Sequence, residues 1–226
     1  MEVLILKFNP NLTPWSMFPR IEKICRKFES EQHLISAERK TILKSVAEAV
    51  DSQIDKNGIA KLIYICTHNS RRSHFGQVWA AAAAEFYGMS SKIGVFSGGT
   101  EVTALHPNSI KALETMCFQI TADAEVRNPR YDVKFGNDLS TICFSKVYEA
   151  SENPQNDFLA LMTCSHADEN CPFIPGATER FSLPYEDPKL FDNTKLEDEK
   201  YLECALEIGR EVCYMMSQSA LKEDNA

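Results

Sequence analysis

The sequence predicts an α/β fold: a central four-stranded parallel sheet with helices on both faces, preceded by a helical N-terminal extension. Three observations predict it. Short apolar runs alternate with amphipathic segments from residue 61 onward. One of them, Phe158-Leu159-Ala160-Leu161-Met162, is apolar throughout, as a strand buried on both faces must be. Residues 18–54 carry two apolar stripes at helical spacing. With 226 residues, the chain accommodates an extension over 1–60 and one well-buried domain over 61–226.

In the extension, Phe18, Ile21, Ile24 and Phe28 mark a first helix with Pro14 near its start, and Cys25 lies beside that stripe as a packing residue. Ser36 is the expected N-cap of a second helix, whose stripe of Ile42, Leu43, Val46, Val50 and Ile54 ends at Lys56-Asn57-Gly58. Such stripes must be covered by the main domain, by each other or by a second subunit, so a homodimer through these helices is one expectation.

The run Leu62-Ile63-Tyr64-Ile65 is the first strand. It stops at Cys66-Thr67-His68-Asn69-Ser70-Arg71-Arg72-Ser73, after which Phe75, Val78, Trp79, Ala82, Ala83 and Phe86 mark one helix face that ends at Gly88. Ile93, Val95 and Phe96 form a second strand closing at Ser97-Gly98-Gly99-Thr100. Pro107 opens a helix with Ala112, Leu113, Met116 and Cys117 facing inward. Residues 121–156 are rich in turn signals, with a helix expected from Ile142 to Tyr148 and Cys143 in the core. Phe158–Met162 is the third strand and Arg180-Phe181-Ser182-Leu183 the fourth. The stripe Tyr201, Ala205, Ile208, Val212 and Met215 describes a long closing helix that carries Cys204 and Cys213 as packing residues.

A net charge of −8 offers no basic face for nucleic acid or anionic membrane, and no stretch approaches the ~20 apolar residues of a membrane span. The start, Met1-Glu2-Val3-Leu4-Ile5-Leu6-Lys7, has too short an apolar run for a signal peptide, so a cytoplasmic location is expected. Eight cysteines spread over all element types are not the dense framework of a small secreted domain; in a reducing compartment they are packing residues or reagents.

The strand–loop–helix at Cys66 carries the chemistry. Five residues separate Cys66 from Arg72, a span that lets backbone N–H groups converge on a tetrahedral oxyanion while the guanidinium grips two of its oxygens. A thiolate at the base of that cradle is a nucleophile. The amides, the following helix N-terminus and Arg72 are expected to favour it, with Ser73 donating to the sulfur. His68 belongs at the loop rim without a catalytic role, and Arg71 is expected to be solvated.

Cys66-Thr67-His68-Asn69-Ser70-Arg71-Arg72-Ser73 resembles the phosphate loop of the low-molecular-weight protein tyrosine phosphatase superfamily. Its C-T-x-N-S-x-R-S form is most similar to the thioredoxin-coupled arsenate reductase branch, over about 61–219. The resemblance implies a cysteinyl intermediate on Cys66, oxyanion binding by the loop and Arg72, loop support from Asn69 and Ser97, and a general acid at Asp187 in Tyr185-Glu186-Asp187-Pro188. The acid comes late and Ile65 precedes the cysteine, which separates the chain from the larger tyrosine phosphatases. Cys164-Ser165-His166-Ala167-Asp168-Glu169-Asn170-Cys171-Pro172 is similar to the redox segment of those reductases. The resemblance implies that Cys164 attacks Cys66 as arsenite leaves, and that Cys171 then carries the disulfide to a thioredoxin-type reductant. A zinc reading of the same pair is set aside, because its spacing lacks the short knuckle of structural sites. No cofactor is expected.

Two departures accompany the resemblance. The family's potassium-binding carboxylate, eleven residues after the nucleophile, is Gln77 here. The threonine and aspartate that the reductases carry after their second helix have no clear counterpart in residues 121–137. Arsenate reduction leads. Hydrolysis of phosphotyrosine or small phosphomonoesters, with the same Cys66, Arg72 and Asp187, is the alternative.

Overall fold

The computed structural model describes residues 16–170 and 173–223. Pro14, the start of the chain and Cys171 therefore lie outside the described residues. In chain order the elements are α1 (Pro19–Ser30), α2 (Ala37–Asn57), β1 (Ala60–Cys66), α3 (Arg72–Phe86), β2 (Ile93–Gly99), α4 (Pro107–Thr115), β3 (Gln119–Ala122), β4 (Tyr131–Gly136), β5 (Leu139–Cys143), β6 (Phe158–Met162), α5 (Ser165–Asn170), β7 (Ala177–Ser182) and α6 (Glu197–Glu223). No described helix is long and apolar enough to cross a membrane.

The main sheet has the order β2-β1-β6-β7, and each neighbouring pair runs parallel. The chain leaves β1 toward β2 on one side and returns to β6 on the other. The order therefore reverses between β1 and β6, and beyond the carboxyl ends of such strands an α/β sheet opens a crevice for ligands. Cys66 ends β1 beside Thr163 and Cys164, which follow β6.

The two faces of the sheet are covered unequally. Leu62, Tyr64, Leu159 and Leu161 belong to one large core with α1, α2, α3, α4 and α6. Its centre is Trp79, fully buried and met edge-on by Phe28 and Phe118 at ring separations of 5.2 Å each. The other face, with Ile63, Ile65, Ala160 and Met162, is covered by α5 through Ala167, by Ile174 and by Tyr148. Cys66 and Cys164 both belong to this smaller cluster.

The extension packs on its own domain. Ile21, Cys25 and Phe28 of α1, and Leu43, Val46, Ala47 and Val50 of α2, are buried in the large core. Ile42 is the exception to the expected stripe and is exposed, because the buried arc of α2 turns toward Ala49 and Gln53. Ser36 caps α2 by accepting from Arg39 N at 3.2 Å, and Gly58 closes it in the left-handed region (φ 75°). With these faces covered inside one chain, the expected homodimer loses the exposed stripe that motivated it.

Two expectations need correction. Residues 142–148 do not form a helix. Ile142 and Cys143 end β5 of an antiparallel β3-β4-β5 sheet, and Val147 bridges Gly99 in parallel. Val133, Phe135, Gly136 and Cys143 are its buried residues, with Lys134, Ser140 and Ile142 exposed, as a half-covered sheet requires. Cys117 is not core: it is partly exposed at φ 72°, turning the chain after α4.

Candidate functional site

Every carbonyl from Cys66 to Ser70 is held from outside the loop. Thr100 N donates to Cys66 O at 3.2 Å and Glu101 N to Thr67 O at 2.8 Å. The hydroxyls of Thr103 and Ser145 both donate to His68 O, at 3.0 and 3.1 Å. His74 Nε2 reaches Asn69 O at 2.9 Å, and His106 N donates to Ser70 O at 3.0 Å. With the carbonyls turned outward, the peptide planes turn their N–H groups inward. Among the described residues, the amides of Thr67 to Arg71 donate to nothing. That is a preformed anion nest.

The curl needs two local permissions. Asn69 takes φ 43°, a left-handed conformation that asparagine tolerates better than most residues. Gly99 comes so near that a Cβ there would stand 2.7 Å from both Asn69 N and Thr67 O.

The thiol at the base is oriented by a chain of bonds whose directions follow one another. Lys146 N donates to Asn69 Oδ1 at 2.9 Å, which fixes the amide so that Nδ2 donates to Ser73 Oγ at 2.9 Å. The Ser73 hydroxyl proton is then free for Cys66 Sγ, 3.1 Å away. Since Asn69 O can only accept, His74 carries its proton on Nε2, and its Nδ1 is left for the Ser97 hydroxyl at 3.3 Å. Burial, with the positive charge of Lys146 adding to it, pushes the His74 pKa down to about 3, so the ring is neutral. Ser97 therefore supports the loop through His74 rather than by touching a ligand. His74 was not evident from the sequence, because a histidine one place after the motif looks like any helix residue.

Arg72 Nη1 donates to Tyr185 O at 2.9 Å and Nη2 to Asp187 Oδ2 at 2.5 Å. Its Nε is buried without a partner among the described residues, a donor left for an oxyanion. Asp187 also accepts from Lys189 N at 3.1 Å and so caps the turn Pro188–Phe191. The strand-following Asp-Pro pair is thus brought to the loop from 115 residues away.

Cys164 is buried at the loop's edge. Its sulfur lies 3.4 Å from Thr67 Oγ1 and accepts from Ala167 N at 3.4 Å. Thr67 Oγ1 is also 3.3 Å from His166 Nδ1. Asp168 ties α5 down, accepting from Arg180 Nη2 at 2.5 Å and Ser182 Oγ at 2.6 Å.

The remaining candidates divide. His68 is partly exposed, 3.6 Å from Glu101. Ser70 hydrogen-bonds Ala104 O at 2.6 Å and anchors the loop rather than a ligand. Arg71 is not solvated. It is buried against α6, with Nε donating to Tyr201 OH at 2.6 Å and Nη2 to Asp192 at 3.1 Å, while Tyr201 stacks on His106. Gln77 donates to Thr141 Oγ1 and Ile142 O at 2.8 and 2.9 Å. It brings no charge to the loop, and its Oε1 is buried without a partner among the described residues.

No family model matches the chain. Over 127 residues it is 28% identical to an arsenate reductase of Bacillus cereus, covering 56% of this chain and 75% of the relative. Over the same length it is 26% identical to arsenate reductase 2 of Staphylococcus saprophyticus, covering 56% and 77%. The chain is thus similar in sequence to two proteins named as arsenate reductases. Among solved structures it is similar to a low-molecular-weight phosphotyrosine phosphatase of Vibrio cholerae O395, at TM-score 0.48 and 12% identity, covering 74% of this chain and 99% of that one. It is also similar to a thioredoxin-dependent arsenate reductase of Corynebacterium glutamicum, at TM-score 0.36 and 15% identity, covering 83% and 92%.

Proposed function

We propose that this protein reduces arsenate to arsenite through Cys66, Cys164 and Cys171. The observation that carries this reading is Cys164: a second thiol, buried at the edge of the oxyanion nest and hydrogen-bonded to a loop residue, for which hydrolysis has no use. In the first step the Cys66 thiolate attacks arsenic, and the displaced oxygen takes a proton from Asp187. Cys164 as thiolate then attacks Cys66 Sγ. The S–As electron pair leaves with arsenic, which falls from the pentavalent to the trivalent state while two thiols become a disulfide. Cys171 takes over the bond to Cys164, and an external dithiol of the thioredoxin type restores the thiols. Arg72 and the loop amides bind the oxyanion throughout.

A second reading, hydrolysis of phosphomonoesters, is supported by the Arg72–Asp187 pair, since a carboxyl beside the loop arginine can protonate a leaving alkoxide or phenoxide. Arsenate and phosphate are nearly isosteric, so one site accepts both. The deciding experiment is arsenate turnover with thioredoxin, thioredoxin reductase and NADPH, run beside p-nitrophenyl phosphate hydrolysis. Sustained NADPH consumption on arsenate supports the relay; hydrolysis with no arsenate-dependent consumption supports the second reading.

A further inference from the structure

Tyr185 joins two parts of the chain that lie far apart in sequence. Its carbonyl accepts from Arg72 Nη1 at 2.9 Å, and its hydroxyl donates to Glu211 Oε2 at 2.6 Å. Its ring lies beneath the Arg39 guanidinium, 4.7 Å from the ring centre. Arg39 Nε in turn meets both Glu211 oxygens, at 3.0 and 2.9 Å, and Nη2 reaches Pro184 O at 3.4 Å. Tyr185 and Glu211 are buried, and the Arg39 side chain is only 16% exposed. Thus both residues that precede Glu186-Asp187 are clamped by one arginine of α2.

We propose that Arg39 is a positioning residue for the oxyanion site, so that the N-terminal extension sets the geometry of the acid segment as well as covering the core. The inference rests on the proposed function in taking Arg72 and Asp187 as the working groups. A planar fork held edge-on by a carboxylate and face-on by a ring fixes Tyr185 in three directions. Tyr185 then fixes Arg72 by its carbonyl and, two residues on, the starting point of Asp187. Displacements of about 1 Å in such groups are costly, on the order of 10²-fold in rate. The buried hydroxyl remains a donor, since burial and the Glu211 charge push the Tyr185 pKa well above its ordinary value.

The test compares wild type, Arg39→Lys, Arg39→Met and Arg39→Met/Glu211→Gln, each checked by thermal melting. The double variant removes both charges, so a carboxylate stranded in the core cannot account for its behaviour. Phosphate affinity is read by calorimetry, and kcat is read on phenyl phosphate and p-nitrophenyl phosphate. Arg39→Met and the double variant should bind phosphate several-fold more weakly and lose about 10-fold in kcat on phenyl phosphate, less on p-nitrophenyl phosphate, with Arg39→Lys between them. Folded variants with wild-type phosphate affinity and wild-type leaving-group dependence would overturn the proposal. If the wild type binds phosphate but hydrolyses neither ester, the hydrolytic reading falls, and the affinity shift alone decides the role of Arg39.

Discussion

Arg72 Nη2 and Asp187 Oδ2 meet at 2.5 Å across the mouth of the oxyanion loop. On the proposed reading, an incoming dianion competes with the carboxylate for the same guanidinium and leaves Asp187 to face the leaving oxygen. Asp187→Asn should therefore lower hydrolysis of phenyl phosphate by about 10²-fold or more, and hydrolysis of esters with acidic leaving groups much less. A leaving-group series checks this. A small, uniform effect across the series would remove Asp187 from the acid role.

Cys66→Ser should abolish arsenate reduction and ester hydrolysis alike. Arg72→Lys should lose most of each, on the order of 10²-fold, because an ammonium cannot present a planar fork to two oxygens while also holding Tyr185 O. Steady-state kinetics with both substrates, alongside phosphate titration, separates lost binding from lost chemistry.

If oxidation passes from Cys66 to Cys164 and then to Cys171, Cys171→Ser should stop after one turnover with Cys66 and Cys164 joined. Ester hydrolysis should survive in reduced Cys164→Ser and Cys171→Ser. Peptide mapping after one addition of arsenate, with free thiols alkylated at once, identifies the joined sulfurs. Sustained thioredoxin-dependent turnover by Cys171→Ser would end the relay.

The buried, neutral His74 makes stability depend on pH in a known direction. Its folded pKa of about 3 lies below the unfolded value of about 6.5, so between them the unfolded chain binds the extra proton. The contribution is complete above pH ~6.5 and declines as pH falls toward 3, at a limiting slope of about 1.4 kcal/mol per pH unit. Urea unfolding of wild type and His74→Gln at pH 7, 6 and 5 should show the two converging as pH falls. Parallel curves would mean that His74 does not titrate in this way.

Gly209 lies in α6 where alanine would ordinarily stabilise a helix by about 1 kcal/mol. Here the sign should reverse. A Cβ at 209 would stand 2.6 Å from the Trp79 ring and 2.8 Å from Phe28, on the seam where α6 meets α3 and α1. Gly209→Ala should destabilise by about 1–3 kcal/mol through overpacking, seen as a lower urea midpoint.

The strands, the loop and the closing helix were legible because their signals are local: apolar runs bounded by glycine or proline, and a cysteine and arginine at fixed spacing. The hairpin of β4 and β5 was locally signalled too, by alternation in Tyr131–Phe135 about Gly136-Asn137-Asp138, but the surrounding turn residues and the expected helix from Ile142 obscured it. Arg71 was misread for a different reason. Its partners Tyr201 and Asp192 are more than 120 residues away, and no local pattern distinguishes a buried guanidinium from a solvated one. Arg39 shares that difficulty. Spacing identifies the groups that perform chemistry, whereas the groups that hold them in place are chosen by the tertiary fold.

The outward anchoring of the loop carbonyls bears on how the protein is made. The groups that hold Cys66 O through Ser70 O come from His74, Thr100, Glu101, Thr103, His106 and Ser145, and the carboxylate facing Arg72 comes from Asp187. A chain still emerging from the ribosome at residue 100 has the whole motif but none of the later partners that give it shape. Contacts so distant in sequence form late, after long loops have closed. During synthesis the loop is therefore unshaped, and the hydrogen-bonded setting of Cys66 arises only when the surrounding fold is complete.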